Sequence, residues 1–205
     1  MKAAYLIFFL LPMVCFSQFK VTILNCISIP ESIHFEGTVV DAVRWQDLSG
    51  DHIVITAMAD EKTGKEQEDT RDGALYGYHY LLQDGHWTLT WRVYDFVKAC
   101  GEDMDLYFVN NTFTVTDLNN DGNAEVWIMY KNSCHGDVSP VPMKIIMYEN
   151  NKKFAARGAT RVRVSDKDWD GGDFSFDEAF RKGPEAFRTY AEKLWKKNKI
   201  ETWGR

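Results

Sequence analysis

The chain has 205 residues, of which 45% are hydrophobic and 26% are charged. These values are typical of a soluble globular protein, and they exclude a disordered, collagen-like or multi-span membrane chain. The formal net charge of −6 argues against nucleic-acid binding, which depends on clustered lysine and arginine. An aromatic content of 14% favours β structure.

The N-terminal residues have the pattern of a secretory signal peptide. Lys2 provides a short basic start, residues 3–14 are apolar, and a polar chain follows Ser17. The apolar stretch is too short to span a bilayer. We therefore predict that residues 1–17 are removed and that one β-rich domain, residues 18–205, is exported to the periplasm or the cell surface, with no transmembrane span after cleavage. The alternative is an uncleaved N-terminal anchor.

Export would place Cys26, Cys100 and Cys134 in an oxidising compartment, where pairing is favoured. Three cysteines cannot all pair within one chain. Cys100 and Cys134 each follow a strand-like run and flank the best-defined motif, so we predict a disulfide between these two. Cys26 lies among apolar neighbours, which predicts a buried and inert thiol.

Hydrophobic patterning predicts antiparallel strands over most of the remaining chain. Some runs alternate strictly between apolar and polar residues, which indicates half-buried strands, and others are continuously apolar, which suits central strands. Turn-forming residues separate several of the runs. The predicted strands are 52–56, 87–93, 113–116, 125–130 and 143–148, and the predicted hairpin turns are 83–86 and 149–152.

The strands are organised as an internal repeat. Trp45-Gln46-Asp47-Leu48-Ser49-Gly50-Asp51 resembles the segment that begins at Val115, with an offset of 70 residues between the two aspartate pairs. In each copy an apolar strand and a hairpin follow. The copies span about residues 35–100 and 105–165. This pattern predicts a mainly β fold, an antiparallel meander of two propeller-blade-like repeats.

A helical segment is predicted at the C-terminal end, from about residue 177 to 198. Ser175 and Glu178 have the spacing of a capping box, and Pro184 suits the first position of a second helix. One apolar stripe at helical spacing follows. It consists of Phe187, Tyr190, Ala191, Leu194 and Trp195.

The strongest chemical motif is the loop of the second copy, residues 117–125. Oxygen-bearing side chains occupy positions 1, 3, 5 and 9, and Gly122 occupies position 6, where the chain must turn. Calcium takes six to eight oxygen ligands in flexible geometry, so this spacing predicts a structural calcium site. The alternative is a metal-free turn held by side-chain to backbone hydrogen bonds. The candidate ligands are Asp117, Asn119, Asp121, Asn123 and Glu125.

The 117–125 loop resembles the calcium loops of FG-GAP and VCBS-type repeats, which likewise run into a strand. Those loops usually have aspartate at position 9, where this chain has Glu125. Two poorer loops are weaker metal candidates. The candidate ligands in the loop of copy one are Asp47, Ser49 and Asp51. Those in an EF-hand-like cluster are Asp166, Asp168, Asp170 and Asp177.

No catalytic residues are predicted. Cys134 and His135 are adjacent, but an exported cysteine is expected to be bridged, and no nucleophile turn is recognisable. The five histidines lack the close spacing of a zinc site. Carboxylates for glycan hydrolysis could be assembled from the many acids, but the sequence does not single out a pair.

Over most of residues 18–205, the chain resembles a family of small exported bacterial proteins named for surface polysaccharide biosynthesis. That resemblance implies a role in making or presenting cell-surface glycan and implies no particular reaction. We expect a calcium-stabilised domain that acts by binding glycan or an envelope protein; the alternatives are a carboxylate-dependent glycan-acting enzyme and a structural envelope protein. The matching segments are 42–45 with Asp47, 78–80, 95–97, the 117–125 loop, 130–140, 143–149 and 193–195.

Overall fold

The structure, a computed structural model, describes residues 19–59, 62–63 and 69–201 of the chain. The predicted signal peptide, residues 1–17, lies outside the described residues. Within them the protein is mainly β, with antiparallel sheets and helices near the C-terminal end. The fold class predicted from the sequence is therefore confirmed.

The first sheet is built from the N-terminal half of the chain. Its strands follow the order β1-β2-β3-β5, and β5 also pairs with β4 and with β6. Every pairing is antiparallel, and β6 forms an edge. The strands are β1 (Thr22–Ile23), β2 (Thr38–Asp47), β3 (Gly50–Met58), β4 (Lys62–Thr63), β5 (Arg71–Gln83) and β6 (His86–Cys100).

The second sheet has the order β14-β11-β10-β9-β7, and the short strand β8 also pairs with β9. A separate hairpin is formed by β12 and β13. The strands are β7 (Asp103–Phe108), β8 (Thr114–Thr116), β9 (Glu125–His135), β10 (Pro142–Glu149), β11 (Lys152–Ala159), β12 (Arg161–Arg163), β13 (Trp169–Gly171) and β14 (Phe174–Phe176).

Two hairpin turns form where the sequence predicts them. Asp84 and Gly85, between β5 and β6, have φ of 48° and 80°, and Asn150, between β10 and β11, has φ of 52°. Positive φ at both central residues is typical of the hairpin turns that match strand twist, and Asp, Asn and Gly tolerate it best. Turn chemistry therefore fixes the register of both hairpins.

The two sheets pack against each other across a shared core. Trp45, Val54 and Trp91 contribute to it from the first sheet, and Val126 and Tyr148 contribute from the second. The opposite face of the first sheet is covered by the segment around Ile29 and Ile33. The opposite face of the second sheet is covered by helices. The central strands β3 and β9 are thus covered on two faces, which explains their continuously apolar character, while burial alternates along the edge strand β6.

Two helices, α1 (Glu178–Lys182) and α2 (Glu185–Asn198), cover the second sheet. The predicted apolar stripe of α2 is confirmed, since Phe187, Ala191, Leu194 and Trp195 are buried and Tyr190 packs against them. The N-cap of α1 is Asp177, whose carboxylate accepts a hydrogen bond from the N–H of Phe180. Ser175, which the capping-box spacing places at the cap, lies in β14.

Register corrects one correspondence within the repeat. Strands β2-β3-β5-β6 of copy one match β8-β9-β10-β11 of copy two in order and direction. Gln46 pairs with Asp51, and Thr116 pairs with Glu125. If Asp47 corresponds to Asp117, the structural counterpart of Asp51 is Glu125 and not Asp121. Copy one therefore has the shorter loop.

The predicted disulfide is present between Cys100 and Cys134, whose Cα atoms are 5.6 Å apart. It joins the end of β6 in the first sheet to β9 in the second. The prediction for Cys26 is wrong, because this free thiol is exposed. Its apolar neighbours Ile23 and Ile27 are themselves exposed, so an apolar local sequence does not provide a buried environment here.

Candidate functional site

The 117–125 loop is held by its own side chains. The N–H of Asp121 donates to Oδ1 of Asp117 (3.1 Å) and to Oδ1 of Asn119 (3.2 Å), and the N–H of Gly122 donates to Oδ2 of Asp117 (3.1 Å). Oδ1 of Asp121 accepts from the N–H of Asn123 (2.8 Å). These are the contacts of Asx-type turns. The side-chain oxygens at positions 1 and 3 converge on one point of the loop.

Glu125 lies at the base of the loop, at the start of β9. Its carboxylate accepts from the N–H of Leu118 (2.9 Å) and from the hydroxyl of Thr116 (2.6 Å), and the residue is fully buried. Burial is the largest influence and raises the pKa of Glu125 to about 7. Glu125 therefore closes the base of the loop as a buried carboxyl group.

A different carboxylate lies beside the loop. Oε1 of Glu149, at the end of β10, accepts from Nδ2 of Asn119 (2.7 Å). Burial, and after it the charge of Asp121, raises the pKa of Glu149. Sequence reasoning missed Glu149, because it is 30 residues from Asn119 and only the β9–β10 hairpin brings it to the loop. Within the described residues, no group of three or more His, Cys, Asp or Glu side chains is placed to hold a metal ion.

The loops of the two copies contact each other. The N–H of Leu48 donates to the carbonyl oxygen of Gly122 (3.0 Å), and the N–H of Ala124 donates to Oδ2 of Asp47 (3.0 Å). Gly122 has φ of 82°, and a Cβ at this position would lie 2.5 Å from Cδ1 of Leu48. The positive φ therefore favours glycine in this turn, and its lack of a Cβ leaves room for the exposed Leu48 side chain. The Asp47 loop serves as a contact between the repeats.

Asp47 is the centre of this contact. Its side chain is 2% exposed, and it accepts from the indole N–H of Trp45 (2.9 Å), from the N–H and hydroxyl of Ser49 (2.8 and 2.7 Å) and from Nε2 of His52 (2.9 Å). Burial alone would raise the pKa of Asp47, but the hydrogen bonds from His52, Ser49 and Trp45 hold it well below its ordinary value. The carboxylate is therefore ionised and fully engaged.

A polar chain runs from Asp47 into the core between the sheets. Nδ1 of His52 lies 2.9 Å from Nε2 of His79, and Nδ1 of His79 contacts the hydroxyl of Thr90. His79 is stacked against Trp91, with 5.1 Å between ring centroids. A cavity of about 10 Å³ adjoins these residues, which is about the room that one water needs. These hydrogen-bonded side chains can transfer a proton between buried groups. The adjoining cavity is too small to admit a substrate.

The histidine pair has no local signature in the sequence, because His52 and His79 are 27 residues apart. A usable signal was the strand pattern, since both residues interrupt apolar runs that pair as β3 and β5.

Burial, and after it the neighbouring His52, lowers the pKa of His79 to about 3. An unfolded histidine titrates near 6.5, so the stabilisation due to neutral His79 is complete above pH 6.5 and is lost as the pH falls towards 3. Between pH 6.5 and 5 we expect His79 to contribute a loss of about 2 kcal/mol to the free energy of unfolding. Urea denaturation at each pH measures this contribution as a fall in the difference between the wild type and His79→Gln, because the buried Glu125, whose raised pKa acts in the opposite direction, is common to both proteins. A His79 imidazole NMR signal that titrates above pH 5 would contradict the assignment.

The third acidic cluster forms a hairpin and a helix cap. Asp166 and Asp168 lie in the turn between β12 and β13, where they accept from Arg163 (3.2 Å) and Ser165 (2.6 Å). Asp170 lies within β13 and accepts from the N–H of Gly171 (2.8 Å). Both carboxylate oxygens of Asp177 are used, by the N–H groups of Phe180 and Ala155 (2.9 Å each). These side chains are thus divided between separate local structures.

His135 does not face a free thiol, because Cys134 is bonded to Cys100. Instead, Nε2 of His135 lies 2.9 Å from Oδ2 of Asp105. This carboxylate raises the pKa of His135.

The outer face of the first sheet carries exposed aromatic rings at its β6 edge. Tyr94 is 47% exposed and Phe96 is 44% exposed. Tyr76 of β5 stacks on Tyr94, with 5.3 Å between ring centroids, and the Tyr94 and Phe96 centroids are 5.4 Å apart. The Arg92 guanidinium lies over Tyr94 at 5.6 Å, and the Lys98 ammonium lies over Phe96 at 5.2 Å. We call Tyr76, Tyr94 and Phe96 the aromatic platform.

Comparison of the chain with models of protein families, with curated proteins and with solved structures gave no match. Among the helices of the described residues, none has both the length and the apolar character needed to cross a membrane.

Proposed function

We propose that the protein is an exported, non-catalytic binding domain that recognises a polysaccharide during assembly or attachment of cell-surface glycan. The aromatic platform is the observation that carries this proposal. An exposed aromatic ring can contact the apolar face of a sugar, and Tyr94 and Phe96 present two such rings side by side at the edge of the sheet. The flanking Arg92 and Lys98 supply hydrogen-bond donors for sugar hydroxyls.

The buried carboxylates favour binding over catalysis. A glycosidase requires two carboxyl groups facing a sugar across a cleft. Asp47 and Glu125, the most buried of the candidate carboxylates, instead accept hydrogen bonds from backbone N–H groups of the two loops. Their chemistry is therefore used to hold the fold. The platform is shallow and open, which suits reversible contact with a polymer.

The platform should determine affinity for polysaccharide. The double variant Tyr94→Ala/Phe96→Ala removes two stacking surfaces at exposed positions, so we expect binding to weaken at least tenfold while the fold is kept. Affinity electrophoresis through gels that contain neutral or acidic polysaccharides would measure the change. Trp169→Ala is the matched control. Trp169 lies on β13, is 42% exposed and has the Arg161 guanidinium over its ring, so the variant removes a similar exposed aromatic side chain outside the platform.

Equal retardation of the wild type and the double variant by every retarding polysaccharide would contradict the role of the platform. A wild type that no polysaccharide retards would favour the structural envelope role. Release of shortened oligosaccharides from the polysaccharide would favour the enzyme.

We also propose that the 117–125 loop binds calcium through Asp117, Asn119 and Asp121. The oxygens of Asp117 and Asn119 converge on the N–H of Asp121, and Asn119 also contacts the Asp121 carboxylate, so oxygen-bearing side chains are concentrated in one short loop. Burial, and after it the charge of Asp121, raises the pKa of the adjacent Glu149. Glu125 closes the base of the loop, and Glu149 is a candidate for a further ligand. Bound calcium would neutralise the repulsion between the carboxylates and fix the turn that carries the contact between the repeats.

Calcium should raise the melting temperature of the wild type by several degrees, because a ligand at a hundredfold excess over its Kd stabilises the folded state by about 2.7 kcal/mol. Asp121→Ala should lose most of this increment, while Asp51→Ala in the shorter loop should keep it. Thermal unfolding with millimolar calcium or with a chelator measures the difference. If the wild type gives the same unfolding curve with calcium and with chelator, the loop is a metal-free turn.

A further inference from the structure

Three basic side chains share one face of the second sheet. Lys144 of β10 lies directly opposite Arg157 of β11. Lys153 lies four residues before Arg157 on the same strand, so the alternation of side chains places it on the same face. Lys153 and Arg157 are exposed, and the intervening Ala155 on this face is part of the shared core. We call Lys144, Lys153 and Arg157 the basic cluster.

The cluster lies against the β6 edge of the first sheet. Asp95, between Tyr94 and Phe96 in β6, forms an ion pair with Lys144. Because neighbouring residues of a strand point to opposite faces, the basic cluster and the aromatic platform lie on the two sides of the same edge strand. Both features are therefore within reach of one polymer that passes along or around this edge.

The charge of the cluster is only partly balanced. Oδ1 of Asp95 also accepts from Nδ2 of Asn132 (2.6 Å), and Oδ2 also accepts from the hydroxyl of Tyr130 (3.0 Å). Asp95 thus has little remaining capacity for a second cation. Within the part of the chain that the structure describes, Lys153 and Arg157 form no ion pair.

Like charges directly opposite each other on neighbouring strands destabilise a sheet. The pair Lys144 and Arg157 has this arrangement in a chain whose overall charge is −6. Burial, followed by the charges of Arg157 and Lys144, lowers the pKa of Lys153. An anion at the cluster would relieve the repulsion, and a guanidinium beside ammonium groups is a suitable donor set for a carboxylate.

We propose that Lys144, Lys153 and Arg157 form an anion-binding site that takes the carboxylate groups of an acidic polysaccharide. This inference rests on the glycan-binding function proposed above and specifies its ligand. Sugar rings stack on the platform, and uronic-acid carboxylates of the same chain pair with the cluster across the β6 edge. Selectivity for acidic over neutral glycan then resides in the cluster and not in the platform.

Oligogalacturonate and its fully methyl-esterified form test this division, because they share a backbone and differ in charge. By isothermal titration calorimetry at low ionic strength, the wild type should bind the acidic form at least tenfold more tightly. Lys153→Gln/Arg157→Gln should lose this preference while still binding the ester. The double change Lys193→Gln/Lys197→Gln, at exposed positions of α2, removes the same charge elsewhere and should keep the preference. Salt should weaken binding of the acidic form more than binding of the ester.

If the wild type binds the two forms with equal affinity, the proposed anion site is wrong, while the proposed glycan-binding function is not contradicted. Loss of the preference in the α2 control would also overturn it, because the effect would then follow net charge and not the cluster. A wild type that binds neither form would count against the glycan-binding function itself and therefore against this inference.

Discussion

Replacing Asp47 by alanine is expected to lower the free energy of unfolding by about 3–5 kcal/mol, because several buried hydrogen-bond partners lose their acceptor at once. The change leaves the indole N–H of Trp45 and the N–H of Ala124 without their acceptor and leaves His52 without its carboxylate. Each buried group that loses its partner costs about 1–3 kcal/mol. In a chain of this size the loss corresponds to a decrease of roughly 10 °C in melting temperature.

Chemical denaturation followed by tryptophan fluorescence measures the Asp47 effect. Asp166→Ala is the control, because the Asp166 side chain is fully exposed at 101% and such changes usually remain within about 0.5 kcal/mol. A cost below about 1 kcal/mol for Asp47→Ala would mean that the contact between the repeats contributes little. Asp47→Asn keeps the shape and one acceptor oxygen, so an intermediate cost is expected.

Reduction of the Cys100–Cys134 disulfide is expected to destabilise the protein by about 3–4 kcal/mol. The two cysteines are 34 residues apart, and in the chain-entropy model a closed loop of this length restricts the unfolded chain by that amount. The bond also joins the ends of β6 and β9, so its loss frees one end of the packing between the sheets. Urea denaturation with and without dithiothreitol measures the effect.

The double variant Cys100→Ala/Cys134→Ala should have the stability of the reduced wild type, and dithiothreitol should no longer change it. Cys26→Ser should respond to reduction as the wild type does, because Cys26 is an exposed free thiol. Equal stability of the oxidised and reduced wild type would show that the bond does not determine the stability of the fold.

The elements that the sequence predicts are those set by local physics. Alternation in residues 87–93 predicts β6, turn chemistry at Asp84 and Gly85 predicts its hairpin, and the apolar stripe of 187–195 predicts α2. In each case the signal and the structure lie within one element. The position of the α1 cap differs by two residues, because Ser175 is taken into β14 by pairing with Arg157.

The parts that the sequence does not predict depend on contacts between distant segments. Asp47 reaches Ala124 over 77 residues, and His52 reaches His79 over 27. Each residue by itself has the ordinary character of a turn aspartate or a lone histidine. Only the pairing of β3 with β5 and the packing of one sheet on the other bring them together. The basic cluster is similar, because the β10–β11 register determines that Lys144 and Arg157 are neighbours.

The contact between the two loops also bears on whether either half of the chain can fold by itself. Copy one now supplies the carboxylate of Asp47, and copy two supplies the N–H of Ala124 and the glycine that admits Leu48. Deletion of copy two would remove one donor to the buried carboxylate of Asp47, deletion of copy one would leave the N–H of Ala124 without its acceptor, and either deletion would uncover the core face of one sheet. The two halves are therefore mutually dependent, and we expect that neither half of this chain folds when the other is removed.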